Sequence, residues 1–173
     1  MRTVVIGNPP GFEAWLERRR ALGQDTYDEV WEGEYHVAPM AHGRQGVLQV
    51  QLAVILAPLA LAAGLVGSGP LNIGEPADYR VADGAYLVPG PTALWNPTAA
   101  IVVEITSPDD ETAAKLGFYH RCGVGELLVL DPSARTVAWY EREATGFVPA
   151  PGSRLLGVES AVLAARIDWP EEG

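Results

Sequence analysis

Two carboxylates set in apolar runs carry the chemical interest of this sequence: Asp83 in RVADGAYLV and Glu104 in AAIVVEITSP. As buried bare charges they would be costly, so each needs a cation or a hydrogen-bond network around it. Hard divalent cations such as Mg²⁺ are held by a few carboxylate or carbonyl oxygens and keep part of their water, and both acids suit that task. If their two strands are neighbours, the backbone carbonyl of Ile105 adds a third oxygen on the same edge. Lys115 follows Glu104 by eleven positions and starts far enough into the next helix to point back over the strand end. An ammonium there orients a water or balances the charge of a phosphate. The chemistry implied is phosphodiester hydrolysis, which needs an activated water, charge neutralisation and help for the leaving oxygen. The same residues also read as plain structure: a solvated strand-end acid, a buried Glu104 paired with Lys115, or an exposed helix lysine.

Other reactive side chains add less. Tyr119 lies one turn after Lys115, as core packing or with its hydroxyl turned to the site. The three histidines, His36, His42 and His120, are scattered without zinc-ligand spacing. Ser107 and Cys122 have no histidine partner nearby to make them nucleophiles. GLVGSG is no phosphate loop, since neither GKS nor GKT follows.

The elements that must position these groups can be read from pattern. Gly11 to Leu22 is an amphipathic helix, and YDEVWEGEYHVAP a hairpin turning at Glu32-Gly33. A long helix runs from about His42 into the Ala60 region, apolar on nearly every face beyond Gln51, and Pro58 should kink or end it. Strands are expected over Leu65–Ile73, Tyr79–Val88 and Ala99–Thr106, the last apolar enough to be covered on both faces. SPDDETAAKLGFYHRCGV opens with a cap signal and stops at Gly123, so it reads as a helix. Strands at Glu126–Leu130 and Thr136–Glu141 close the pattern. Helix, strands, helix, strands implies an α+β fold, α/β-like, with a central mixed sheet flanked by helices.

At 173 residues with 48% hydrophobic and 20% charged content, the chain is expected to fold as one domain, 1–173. Its single cysteine excludes an intrachain disulfide and suits a reducing cytosol, and MRTVVIGNPPGF lacks a secretory h-region, so a cytoplasmic location is expected. The longest apolar stretch, Leu52 to Val66, is 15 residues with Pro58 inside, short of the ~20 a membrane span needs. A net charge of −10 disfavours broad electrostatic binding to nucleic acid, although a divalent cation can supply positive charge locally. Arg18, Arg19, Arg20 and Arg44 are the basic residues that would cluster, with a solvated helix face as the simpler account of the arginine run.

The order GEYHVAPMAH, RVADGAYLV and AAIVVEITSPDDETAAKLGFYHRCGVGELLVLDP resembles the Uma-type putative restriction endonuclease family of the PD-(D/E)xK nuclease superfamily. The resemblance spans 27–141 as a nuclease-like core and implies a restriction-endonuclease-like fold. It implies that Asp83 is the acid of the PD element, Glu104 the second acid and Lys115 the lysine, carried by the following helix. Glu111 occupies an acidic position one turn before Lys115. Glu34 resembles an additional hairpin acid completing the metal site, His42 a histidine opening the long helix, and Arg80 a basic residue three positions before Asp83. Ala82 replaces the usual proline, and Thr106 stands where a simple ExK motif would have lysine. The implied metal set is Glu34, Asp83, Glu104 and Ile105 around Mg²⁺ or Mn²⁺, the implied substrate is DNA, and the implied assembly is a homodimer. Two other functions fit the same residues: a catalytically inactive nuclease-fold binding or regulatory module, and a metal-dependent hydrolase of small phosphate esters.

Overall fold

The computed structural model describes residues 3–7, 9–38, 43–107 and 112–171; His42 and Glu111 lie outside them. From the N-terminus run β1 (Thr3–Val5), α1 (Phe12–Ala21), β2 (Glu29–Trp31), β3 (Glu34–Val37) and α2 (Gly43–Ala62). Then come β4 (Val66–Ser68), β5 (Leu71–Glu75), β6 (Asp78–Ala82), β7 (Gly84–Leu87), β8 (Trp95–Asn96), β9 (Ile101–Ile105) and α3 (Thr112–Arg121). The chain continues through β10 (Glu126–Asp131), β11 (Thr136–Arg142), β12 (Phe147–Ala150), β13 (Gly152–Ser153), β14 (Val158–Glu159) and α4 (Ser160–Arg166). The class is α+β with mixed sheets, as the pattern implied.

The sheet is divided in two. One six-stranded sheet has the order β1-β3-β2-β6-β5-β8, and a second has β12-β11-β10-β9-β7-β4. Both strands expected across 65–88 are split. Residues 66–75 and 78–87 form one long antiparallel ribbon, with Leu71 opposite Ala82 and Ser68 opposite Ala85. The ribbon bends at Gly69-Pro70 on one side and Asp83 on the other, so its two ends join different sheets. Strands that switch sheets make corners of this kind. Asp83 is the residue at the corner, and its N–H donates to Val103 O at 3.0 Å.

The hairpin turn is where the sequence put it: Glu32 and Gly33 both have positive φ, 52° and 89°. That pair of left-handed residues makes the tight turn whose twist matches its strands. Strand β9 is buried at all five positions and pairs in parallel with β10 and antiparallel with β7. Alternation then divides its side chains between the two faces. Val103 and Ile105 join Leu52, Ile55 and Leu56 of α2 in one core cluster. Val102 joins Phe118 and Tyr119 of α3 in the other, and Glu104 faces that side too.

Helix α2 departs from expectation in three ways. It is 20 residues long and continues through Pro58 to Ala62. Pro58 is exposed, so the carbonyl it leaves without a helical partner can be hydrated. The helix is also apolar all round without being buried all round. Leu48, Leu52, Ile55, Leu56 and Ala60 face the core, whereas Val47, Val50, Val54 and Leu61 are exposed. By length and composition it would be able to cross a membrane, but its inner stripe is spent on the protein's own sheet.

Candidate active site

Glu104 projects from the middle of the sheet onto α3. There Tyr119 donates its hydroxyl to Glu104 Oε1, and Lys115 Nζ stands 3.3 Å from Glu104 Oε2 and 3.4 Å from Oε1. Lys115 is one helical turn before Tyr119, so both side chains leave the same face of α3 and reach one carboxylate. All three are buried. The lysine, absent from the ExK position where Thr106 stands, therefore arrives from the helix.

Asp83 comes to the same place from the corner. Its Oδ2 accepts the N–H of Ile105 at 2.7 Å, and Gln45 of α2 donates its side-chain amide to Oδ1. Gln49, one turn later, donates to the Asp83 carbonyl at 3.1 Å. Thr106 N–H bonds to Leu130 O on the β10 side, so the N–H and C=O of Ile105 both turn to the Asp83 edge. What Ile105 gives Asp83 here is its amide.

The hairpin contributes an acid, but from the other strand than expected. Glu29 of β2 is fully buried and pairs with Lys115, Oε1 to Nζ, at 2.9 Å. It also accepts Val81 N–H at 2.9 Å and Trp31 Nε1 at 2.6 Å. Glu34 is exposed at the rim. The register explains the exchange: Trp31 opposite Glu34 and Glu29 opposite His36 put both acids on one face, with Glu34 next to the turn and Glu29 two residues further in. Period-two alternation counted back from the Glu32-Gly33 turn was the signal for Glu29.

Arg80 is placed away from these oxygens. Its guanidinium is sandwiched between the rings of Trp31, at 4.2 Å, and Phe118, at 4.1 Å, while Nη1 donates to Val30 O at 2.7 Å and to Asp78 at 2.8 Å. It clamps the hairpin to α3. Arg19 is likewise engaged, by Asp28 at 2.6 Å, which leaves the arginine run short of a free basic face.

Two carboxylates, Glu29 and Glu104, thus flank the ammonium of Lys115, and Asp83 binds the N–H of Ile105, the residue after Glu104. Burial pushes Glu104 up to about 8; Lys115 and the Tyr119 hydrogen bond oppose that rise, and the charges of Asp83 and Glu29 add to it. The Tyr119 hydroxyl is raised well above its usual value, by burial first and Glu104 second, so it remains a donor. Among the described residues no group of three or more His, Cys, Asp or Glu side chains is arranged as a metal site. The residues that would hold a hard cation are fewer, the carboxylates of Asp83 and Glu104 with the Ile105 carbonyl, and water would complete the shell as Mg²⁺ prefers. Added positive charge is what would let Glu104 ionise in place.

Comparison with known proteins identifies the fold and the family. No curated protein sequence is similar enough to count as a relative. The crystal structure of a putative nuclease belonging to DUF820 from Anabaena variabilis has the same fold, with a TM-score of 0.64 over 80% of this chain and 90% of that one, at 16% identity. The family described as Uma2, putative restriction endonuclease, matches residues 12–164. With nearly the whole chain inside that match, the protein belongs to the Uma2 family, a nuclease family by its description.

Proposed function

We propose that the protein is a Mg²⁺- or Mn²⁺-dependent endonuclease that hydrolyses DNA phosphodiester bonds at Asp83, Glu104 and Lys115. The observation that carries this reading is that a corner acid, a mid-strand acid and a helix lysine, 21 and 11 positions apart in sequence, meet at the end of β9, Asp83 on the Ile105 N–H and Lys115 on Glu104. When bound, the cation would supply a lowered water pKa and charge for the phosphate oxygens. Asp83 and Glu104, with the Ile105 carbonyl, would hold it. Lys115 would orient the water and offset phosphate charge, and Tyr119 fixes Glu104 by its hydrogen bond.

The experiment is cleavage of single- and double-stranded DNA by the purified chain, with and without Mg²⁺ or Mn²⁺. Cutting that needs metal and is lost in Asp83→Ala, Glu104→Ala and Lys115→Ala supports the assignment. Full activity in all three variants overturns it.

One observation favours the inactive nuclease-fold reading. Lys115 is held by Glu29 as well as Glu104, and an ammonium shared by two carboxylates is less free to serve a substrate. Metal binding that depends on Glu104, with no cutting of any DNA, would decide for that reading. The partner we propose for the exposed face of α2 is a second copy of the chain. From Gln45 to Ala62 the helix has no charged side chain, and on a chain of net charge −10 that is where two copies meet without like-charge repulsion.

A further inference from the structure

Beside Asp83, between α2 and the ribbon corner, the fold leaves a cavity of about 200 Å³. Its walls are mainly apolar, from Leu52, Ala53 and Ala57 of α2 and from Tyr86 and Val103 of the sheet. Gln49 and Ser68 add two neutral polar groups, and among the described residues Asp83 is its only charged lining residue. The opening depends on glycine at 67, where a Cβ would stand 3.1 Å from the Tyr86 ring. Burial pushes the Tyr86 hydroxyl up to about 12, so this wall residue adds no charge.

These features define the occupant. A phosphate is repelled, because the one charge among the described wall residues, Asp83, is negative. The volume is below the roughly 300–1,000 Å³ of pockets for drug-sized ligands, which leaves room for a single ring system. Neutral amide and hydroxyl groups among apolar walls suit a flat heterocycle with a polar edge. The cavity also touches Asp83, whose carboxylate reaches the N–H next to Glu104, so whatever fills it lies beside the candidate reaction centre.

We infer that this cavity receives one unstacked nucleobase of the strand whose phosphate is presented to Asp83 and Glu104, so that the chain acts on single-stranded or locally opened nucleic acid. The inference rests on the nuclease reading above. It also accounts for the charge of the protein. At −10 the chain gains little from counterion release, whereas a buried or stacked base contributes to binding without any positive charge. A duplex must first lose a stacked pair, so intact duplex is the poorer ligand.

The test uses the full chain in EDTA with a single-stranded oligonucleotide carrying one 2-aminopurine, against the same strand with an abasic site at that position. Expected is a saturable change in 2-aminopurine emission, at least tenfold weaker binding of the abasic strand, and a comparable loss in Ala57→Trp, which fills the cavity from an exposed helix position. Circular dichroism checks that the variant is folded, and the abasic comparison in the unaltered protein stands whether or not it is. Equal binding of the two strands overturns the inference, as does duplex bound more tightly than single strand. Metal-dependent cutting that is lost in Glu104→Ala yet indifferent to the abasic site would refute the base cavity alone. No cutting and no strand binding would remove the nuclease reading with it.

Discussion

Lys115 Nζ lies 2.9 Å from Glu29 Oε1 and 3.3 Å from Glu104 Oε2, so one buried ammonium ties the N-terminal hairpin to the central strand β9. The pair Glu29–Lys115 joins elements more than 80 positions apart. It makes the hairpin part of the site rather than an appendage.

The two hairpin acids should therefore behave differently. Glu29→Ala leaves Lys115 with one carboxylate fewer and Val81 N–H without its acceptor, and breaking a buried pair costs about 3–5 kcal/mol. Glu34→Ala, at an exposed position, should stay within about 0.5 kcal/mol. Urea unfolding of both variants measures the difference; equal effects would mean that Glu34 holds the site.

Glu104 sets a pH dependence in the metal-free protein. Its folded value, about 8, is above the ordinary 4.5, so between those values the folded state binds the extra proton. Stability then falls as pH rises through that window, at a limiting slope of about 1.4 kcal/mol per pH unit for one proton. Denaturant midpoints from pH 5 to 8 in EDTA should show the decline, Glu104→Gln should flatten it, and Mn²⁺ should oppose it. A stability that rises over this range contradicts the assignment.

Tyr119→Phe removes the donor to Glu104 and keeps the ring. Leaving a buried acceptor unsatisfied costs about 1–3 kcal/mol, and the freed Glu104 side chain should hold metal less firmly. Calorimetry with Mn²⁺ should find at least a severalfold weaker affinity with the fold intact. Unchanged affinity would mean that the hydroxyl only packs.

A charge on the outer face of α2 should separate the copies. Val54 is 70% exposed, so Val54→Glu should leave the monomer's stability nearly unchanged while shifting sedimentation from dimer to monomer. A monomer before substitution removes the proposal.

Much of this was legible locally. An unbroken apolar run reported that β9 is covered on both faces, a turn pair placed the hairpin, and a glycine-stopped run of helix formers marked α3. Lys115 and Tyr119, four apart, had to share a helix face. Period and burial are properties of a segment, and a segment displays them in its own residues.

Other features belong to the folded chain alone. The sequence by itself determined that Asp83 and Glu104 need compensation; the tertiary structure decided that Asp83 sits at a corner between sheets, because the two halves of its ribbon find different partners, β2 and β9. It chose Glu29 over Glu34 by depth in the hairpin, and it left one side of α2 bare because only one side meets the sheet. The physical reason is common to all three. Which partner an element finds depends on contacts between residues far apart in the chain, and a local pattern of hydrophobicity says that a face is to be covered without saying by what.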